Sequence, residues 1–302
     1  MKTETEIDNI DTCLKPVTFN DFDVIHKMFT KYPSEKCDFN VCNIFSWDLF
    51  LKVKYTFYLD RLILFNPSYT YFLAPIGEAL SVESLFQLSN AFKAVYEDIE
   101  ILGVSEDYIN NNPTIGDYFY IEHDENLSDY VYTAEDLVEL HGKKLAKKKN
   151  LISQFMRLYT DFEVKPIDAH DYTEIMDFCY YWRETHGDQS ENVDIEFEAI
   201  KIILTHWDLF PCNGLKLYAG GKMCAFSIYS PQTNDMATVH FEKFDPFIKG
   251  SGQVINHETA KLLREKFTFI NREQDMGLAG IRQAKRSYQP TRMLMHYRLK
   301  SK

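Results

Sequence analysis

"MATVHFEKFDPFIKGSGQVINHETAKLLREKFTFINRE", residues 236–273, reads as a strand, a glycine turn, a helix and a second strand. Residues 236–244 have strand composition, and Asp245-Pro246 with Gly250-Ser251-Gly252 make the turn. QVINHETAKLLREKF (253–267) has helical spacing, and TFINRE (268–273) is extended again. A crossover of this kind set among hairpins makes a mixed sheet with helices on both faces.

Working outward, FEVKPI (162–167) is a strand, and DYTEIMDFCYYWRETH (171–186) and IEFEAIKIILTHWDLF (195–210) are helices. LKLYAGGKMCAFSIYS (215–230) is two strands about the hairpin signal Gly220-Gly221. Downstream, AGIRQAKRSY (279–288) is a short helix stopped by Pro290, and RMLMHYRL (292–299) is a last strand. The order is β-α-α-β-β-β-α-β-α-β.

The first half repeats part of this pattern. LKVKYTFYLD (51–60), RLILFNP (61–67) and YTYFLAP (69–75) are extended, and Ser81 caps a helix with Leu85, Leu88, Phe92 and Val95 on one face. IEILGVS (99–105) is the strand behind it. TAEDLVELHGKKLAKKKNLISQFMR (133–157) is helical, interrupted near Gly142, with Leu145, Ile152 and Phe155 toward a core. The expected division is therefore an N-terminal domain over 1–132, a connecting basic helix over 133–158 that bridges the halves, and a C-terminal domain over 159–302. The fold class is α/β with mixed sheets.

A chain of 302 residues, 45% hydrophobic and 15% aromatic, can bury cores for two domains. Its net charge of −12 excludes a surface coated for nucleic acid, so an anionic partner must meet a local basic patch. Six cysteines without a CxxC pair read as reduced thiols of a cytoplasmic protein rather than a disulfide framework or zinc site. The opening MKTETEIDNIDTC (1–13) lacks the basic start and apolar run of a secretory signal. No stretch has the roughly 18–20 apolar residues of a transmembrane helix, so membrane contact is expected to be peripheral at most.

The crossover concentrates the chemistry. A strand leading through a glycine turn into a helix presents unpaired backbone N–H groups and the positive end of a helix dipole, which suits a phosphate. Gly250, Ser251, Gly252 and Gln253, with Asn256 one turn on, are the candidate phosphate-binding residues. Ile255 replaces the third glycine of a dinucleotide fingerprint, and the letters alone are those of an ordinary tight turn. On the preceding strand, alternation places His240 and Glu242 on one face and Lys243 on the other. In FINREQDMGLAGIRQAKRSYQP (269–290), Asn271, Glu273 and Asp275 alternate onto one face. Glu242, Glu273 and Asp275 are thus candidate bases. Arg282, Lys285 and Arg286 share a side of the following helix and can hold phosphate or clamp carboxylates, and Arg272 and Tyr288 flank them. A surface ion-pair network is the competing reading of these charges.

Lys143 with Lys147, and Lys144 with Lys148, are like-charge i, i+4 pairs, so Lys147 and Lys148 are candidates for a polyanion, against a merely solvated face. NHETAK has Lys261 where a zinc protease has its second histidine, and no metal site is expected.

GKKLAKKKNLISQF, HFEKFD, GSGQVIN and INREQDMGLAGIRQAKRSYQP, in this order, resemble the soluble C-terminal domain of bacterial phosphatidylglycerol lysyltransferases and its stand-alone relatives. The resemblance implies two GNAT-like acyltransferase domains in tandem, the second holding the main cleft, with the donor bound at Gly250, Ser251, Gly252, Gln253 and Asn256. Its membrane-bound members move an aminoacyl group from aminoacyl-tRNA to a lipid hydroxyl. This chain departs from them in having no membrane-spanning stretch, and its first half has no Gly-x-Gly turn at the corresponding APIGEALS (74–81). The expected function is transfer of an acyl or aminoacyl group from coenzyme A or aminoacyl-tRNA, neither held as a tight cofactor, to an amine or hydroxyl. The alternative is a non-catalytic module that binds a nucleotide-like ligand or RNA in the retained cleft.

Overall fold

Strand Met236–Phe244 pairs in parallel with Phe269–Asn271 and in antiparallel with Lys222–Pro231, as a crossover beside a hairpin requires. This arrangement belongs to a computed structural model that describes residues 10–186 and 191–302, so most of the acidic opening read above lies outside the described residues. The chain forms two units. The first comprises the residues up to Pro33, Asp48–Ser128 and Met295–Lys302; the second comprises Ser34–Trp47 and Asp129–Leu294.

The sheet of the first unit runs Lys15–Pro16, Lys54–Tyr58, Arg61–Asn66, Tyr71–Leu73, Glu100–Val104, Tyr297–Ser301, Phe119–His123. Tyr71–Leu73 and Glu100–Val104 are parallel and are joined through helix Val82–Lys93, whose N-cap Ser81 accepts a hydrogen bond from the amide of Ser84. Leu85, Leu88 and Phe92 are buried on the sheet, where Phe92 stacks on Phe72 at 4.7 Å. Val95, expected on the same face, lies past the helix end and is exposed.

The sheet of the second unit runs Arg292–Leu294, Asp129–Thr133, Phe269–Asn271, Met236–Phe244, Lys222–Pro231, Asn213–Ala219, Glu163–Pro166. Helix Ser251–Arg264 crosses one face and buries Val254, Ile255, Ala260 and Leu263 against Ala237, Val239 and Ile270 of the sheet. Helices Tyr172–His186 and Glu191–Thr205 precede the central hairpin as expected. The expected interruption near Gly142 is present: helix Ala134–Glu139 ends on Leu140 in the left-handed region (φ 48°), Gly142 follows at φ 87°, and helix Ala146–Leu158 starts anew.

The division of the chain differs from the expected one in three ways. Segment 34–47 and strand Asp129–Thr133 belong to the second unit, and the stretch read as one last strand is two. Arg292–Leu294 pairs with Asp129–Thr133, and Tyr297–Ser301 pairs with Glu100–Val104 and Phe119–His123. Strand composition specifies an extended backbone but not its neighbour, so no local signal marks the break at Met295-His296. Helix Ala146–Leu158 is likewise no bridge, because Leu145, Ile152 and Phe155 are buried in the core of the second unit.

Packing accounts for both glycines of the turn. Gly250 has φ 93°, and a Cβ there would lie 2.6 Å from the carbonyl oxygen of Leu151. A Cβ on Gly252 would lie 2.7 Å from the Phe244 ring. Gly252→Ala is therefore expected to lower stability by roughly 1–3 kcal/mol through overpacking. Phe244→Ala in the same chain should restore part of it in urea titrations; equal stability of Gly252→Ala and parent would refute the packing account.

Candidate active site

The parallel pairing stops at Thr238 opposite Asn271, and beyond it the two strands no longer share hydrogen bonds. On the other side the ladder slips, so that Tyr229 faces Val239 and Ile228 faces Phe241, leaving His240 as the extra residue of a bulge. The slip overturns simple alternation. His240 bonds Ser230 and Glu273, whereas Glu242 bonds Asn256 of helix Ser251–Arg264, so the two do not share a face.

On the His240 side, Nε2 lies 2.8 Å from Ser230 Oγ and Nδ1 lies 2.9 Å from Glu273 Oε1. Asn43 Nδ2 donates to the same Oε1 at 2.9 Å. The imidazole is wholly buried, while the Glu273 side chain keeps 20% exposure. Burial would lower the proton affinity of His240, but hydrogen bonds and charge from Cys42 and Glu273 outweigh it and raise the pKa to about 9. At neutral pH the ring is an imidazolium that holds a carboxylate. Glu273 itself stands in the left-handed region (φ 57°), uncommon for a residue with a side chain, and its amide donates to Asn271 Oδ1 at 2.7 Å.

Asn271 is used behind this pair. Its Nδ2 donates to Asp129 Oδ2 at 2.7 Å and to the carbonyl of Glu35 at 2.9 Å. Asp129 also accepts from the amide of Cys37 at 2.7 Å. Burial, then the charge of Asp38, pushes the Asp129 carboxyl up to about 7.

On the opposite face, Arg272 donates to Glu242 Oε1 at 2.8 Å and Asn256 donates to Oε2 at 3.2 Å. The guanidinium lies 5.2 Å from the Tyr288 ring, and Lys148 Nζ lies 4.2 Å over that same ring. Burial, then Arg272 and Lys147, lowers the proton affinity of Lys148, whereas Lys147 is exposed. Ser251 is buried and donates to the carbonyl of Asp245 at 2.9 Å, so its hydroxyl ties down the turn.

Asp275 leaves the expected set of bases. Arg282 grips its two oxygens at 2.7 and 2.9 Å, and Tyr130 (2.6 Å) and the amide of Gly277 (2.8 Å) complete the shell. Arg282 is the main cause that lowers its pKa to about 2. The strand ends at Asn271, so the alternation assumed for Asn271, Glu273 and Asp275 extends to neither carboxylate. Lys285 donates to the carbonyl of Gln274, and burial lowers its pKa to about 8. Gln274 in turn donates to Asp38 at 3.1 Å.

Ser230, Asn43, Cys37 and Asp129 were not singled out in the sequence. They are separate polar residues drawn from three segments, and only the pairing of those segments brings them to His240 and Asn271. Among the described residues no cluster of side chains suits a metal ion, and no helix is long and apolar enough to cross a membrane.

In both units a strand, a helix and a parallel strand form the middle of a mixed sheet, which defines a tandem GNAT-like acyltransferase fold. The family model "Phosphatidylglycerol lysyltransferase, C-terminal" matches residues 34–300, and the chain belongs to that family. A conserved protein of unknown function from Bacteroides thetaiotaomicron is 29% identical, with a TM-score of 0.88 over 96% of this chain and 99% of that one. The C-terminal domain of a putative lysylphosphatidylglycerol synthetase from Agrobacterium fabrum is 14% identical, with a TM-score of 0.66 over 93% and 91%. L-PGS from Bacillus licheniformis is 12% identical, with a TM-score of 0.62 over 92% and 91%.

The Asp275 clamp predicts a pH signature. Its folded pKa lies below the ordinary value of 3.8, so its stabilisation is fully present above that value and is lost as pH falls through about 2. Asp275→Asn should cost roughly 3 kcal/mol at pH 7 by leaving Arg282 without its carboxylate. Urea titrations of parent and variant should converge toward pH 2, and a gap that persists there would refute the clamp.

Proposed function

We propose that the second unit transfers an aminoacyl group from aminoacyl-tRNA to an amine or hydroxyl acceptor, with Glu273 as the base. The observation that carries this reading is the state of that carboxylate. Both hydrogen bonds it receives fall on Oε1, and Oε2 takes none from the described residues of the protein. The side chain is also partly open to solvent. A carboxylate fixed through one oxygen and offering the other is positioned for proton transfer. Membership of a family named for lysyl transfer supports an aminoacyl donor, with acyl-coenzyme A as the other thioester or ester chemistry to be compared.

In this reaction the acceptor oxygen or nitrogen attacks the ester carbonyl of the donor and its proton passes to Glu273 Oε2. The tetrahedral oxyanion collapses, the bond from carbonyl carbon to ribose oxygen breaks, and the ribose hydroxyl leaves with a proton. Lys285, with a pKa of about 8, is a suitable donor of that proton near neutrality. His240 and Asn43 act through Glu273 as positioning residues. Arg272, Lys148 and the exposed Lys147 supply positive charge on the other face for the tRNA backbone. The acceptor can be a small molecule or a headgroup at a membrane surface.

Glu273→Gln keeps the Oε1 acceptor and removes the base. Single-turnover transfer from aminoacyl-tRNA should fall by roughly 10²- to 10⁴-fold while donor affinity stays near that of the parent, and the melting temperature should fall because the buried His240 imidazolium loses its carboxylate partner. A Glu273→Gln protein that transfers at the parent rate would remove Glu273 from the chemistry. If the parent binds charged tRNA and yields no product with any acceptor, or uses only acetyl-coenzyme A, the reaction or the donor, respectively, is wrong. Lys147→Gln should also reduce the slope of tRNA affinity against salt, since fewer counterions are released.

A further inference from the structure

Cys42 lies in the first turn of helix Val41–Ser46, and Cys212 immediately precedes strand Asn213–Ala219. Their sulfurs are 3.1 Å apart although 170 residues separate them in sequence. We propose that Cys42 and Cys212 form a peroxide-oxidised dithiol site, in which Cys42 is the attacking sulfur and Cys212 the resolving one.

The surroundings set the two roles. The side chain of Asn40 accepts from the amide of Cys42 at 2.9 Å and donates to Ser230 Oγ at 3.1 Å, which fixes the turn carrying Cys42 beside the Ser230–His240 pair. The Cys42 sulfur lies against Cys212, and the charge of the nearby His240 imidazolium acts on it. Burial alone would raise its pKa, but Cys212 and His240 reverse this and hold it at about 5. Cys212 is pushed the other way, first by burial and then by Cys42. Cys42 is therefore the sulfur of the pair that ionises more readily, and Cys212 the one that keeps its proton. The remaining cysteines differ: Cys37 donates to the Asp129 carboxylate, burial raises Cys179 and Cys224 to about 12, and Cys13 is exposed on the first unit.

Access decides the oxidant. Cys42 is wholly buried and Cys212 is 7% exposed, which excludes bulky disulfides and leaves hydrogen peroxide, close to water in size, as the oxidant we propose. The Cys42 thiolate attacks one peroxide oxygen, the O–O bond breaks, and the departing hydroxide takes a proton from the His240 imidazolium as water. Cys212 sulfur then attacks the resulting sulfenic sulfur. The S–S bond forms, the S–O bond breaks, and the Cys212 proton leaves with the hydroxide as the second water, while solvent reprotonates His240. The two thiols are oxidised by two electrons and the peroxide is reduced. Bringing the sulfurs from 3.1 Å to a bond of about 2.05 Å requires a closure of only about 1 Å. Once the thiolate is consumed, His240 loses one of the two groups that raise its proton affinity.

The test uses the full reduced chain exposed to hydrogen peroxide, quenched, denatured, alkylated with N-ethylmaleimide and mapped without reduction. Expected are a loss of about 2 Da before alkylation and a linked peptide pair containing Cys42 and Cys212, both reversed by dithiothreitol. In Cys212→Ser the sulfenic acid has no resolving thiol, so dimedone should label Cys42. Should Cys42→Ser fail to fold, Cys212→Ser with dimedone still decides the roles. Peroxide that oxidises the exposed Cys13 while Cys42 and Cys212 stay fully alkylatable would overturn the proposal, as would dimedone on Cys212 in Cys42→Ser but not on Cys42 in Cys212→Ser. None of these readouts depends on transfer activity, so they stand or fall separately from the aminoacyl-transfer reading.

Discussion

Strand Met236–Phe244 must hold two different neighbours, and the compromise it makes organises the second unit. Its parallel contact with Phe269–Asn271 lasts only to Thr238, and its antiparallel ladder with Lys222–Pro231 slips at His240. A regular ladder would have placed His240 and Glu242 on one face. The extra residue instead sends His240 toward Ser230 and Glu273, and Glu242 toward Arg272 and Asn256. Two charge systems arise from one strand because one residue has no partner across the ladder.

Several buried charges of this unit have partners of opposite charge, which separates structural from chemical roles. Lys243 is buried, pairs with Glu196 at 2.8 Å and lies 3.9 Å over the Trp182 ring. Lys216 is buried between Asp171 at 2.5 Å and Glu174 at 3.1 Å. Each pair offsets desolvation with hydrogen bonds, and replacing one partner would leave an uncompensated charge. The ion-pair reading therefore holds for Asp275–Arg282, as a buried rather than a surface pair, and Lys243 and Lys216 are paired in the same way. It is incomplete for Glu273, whose partners occupy only one oxygen.

Much of the second unit was legible in the sequence because its elements announce themselves locally. The glycine turn, the Gly220-Gly221 hairpin, the interruption at Gly142 and the crossover helix each rest on residues within a few positions of one another. The exchange of strands was not legible. Asp129–Thr133 and Tyr297–Ser301 have strand composition, but their neighbours lie more than 100 residues away in sequence, and pairing across that distance leaves no mark on composition. The bulge was hidden for a similar reason, since no glycine marks it and only the register of the opposite strand reveals it. Glycines 250 and 252 were visible as a special turn, while the reason for them, the approach of Leu151 and Phe244, comes from tertiary packing.

The contrast between Glu273 and Asp275 shows what decides a site once the elements are placed. The two carboxylates are two residues apart in sequence, and both follow the same short strand. Asp275 has a shorter side chain and receives four donor contacts, from Arg282 twice, Tyr130 and Gly277, which exhaust its lone pairs and hold its pKa near 2. Such an acid is stable as an anion and too weak a base for chemistry near neutrality. Glu273 leaves the strand through a left-handed backbone conformation that costs about 1–3 kcal/mol unless its surroundings impose it. Here they do, through the Asn271 side chain on its amide and the His240 imidazolium on its carboxylate. The strained residue is the one left with a free oxygen, whereas its relaxed neighbour is fully coordinated. Hydrogen-bond saturation, rather than residue type or proximity to the glycine turn, therefore distinguishes the carboxylate that can accept a proton from the one that holds the loop.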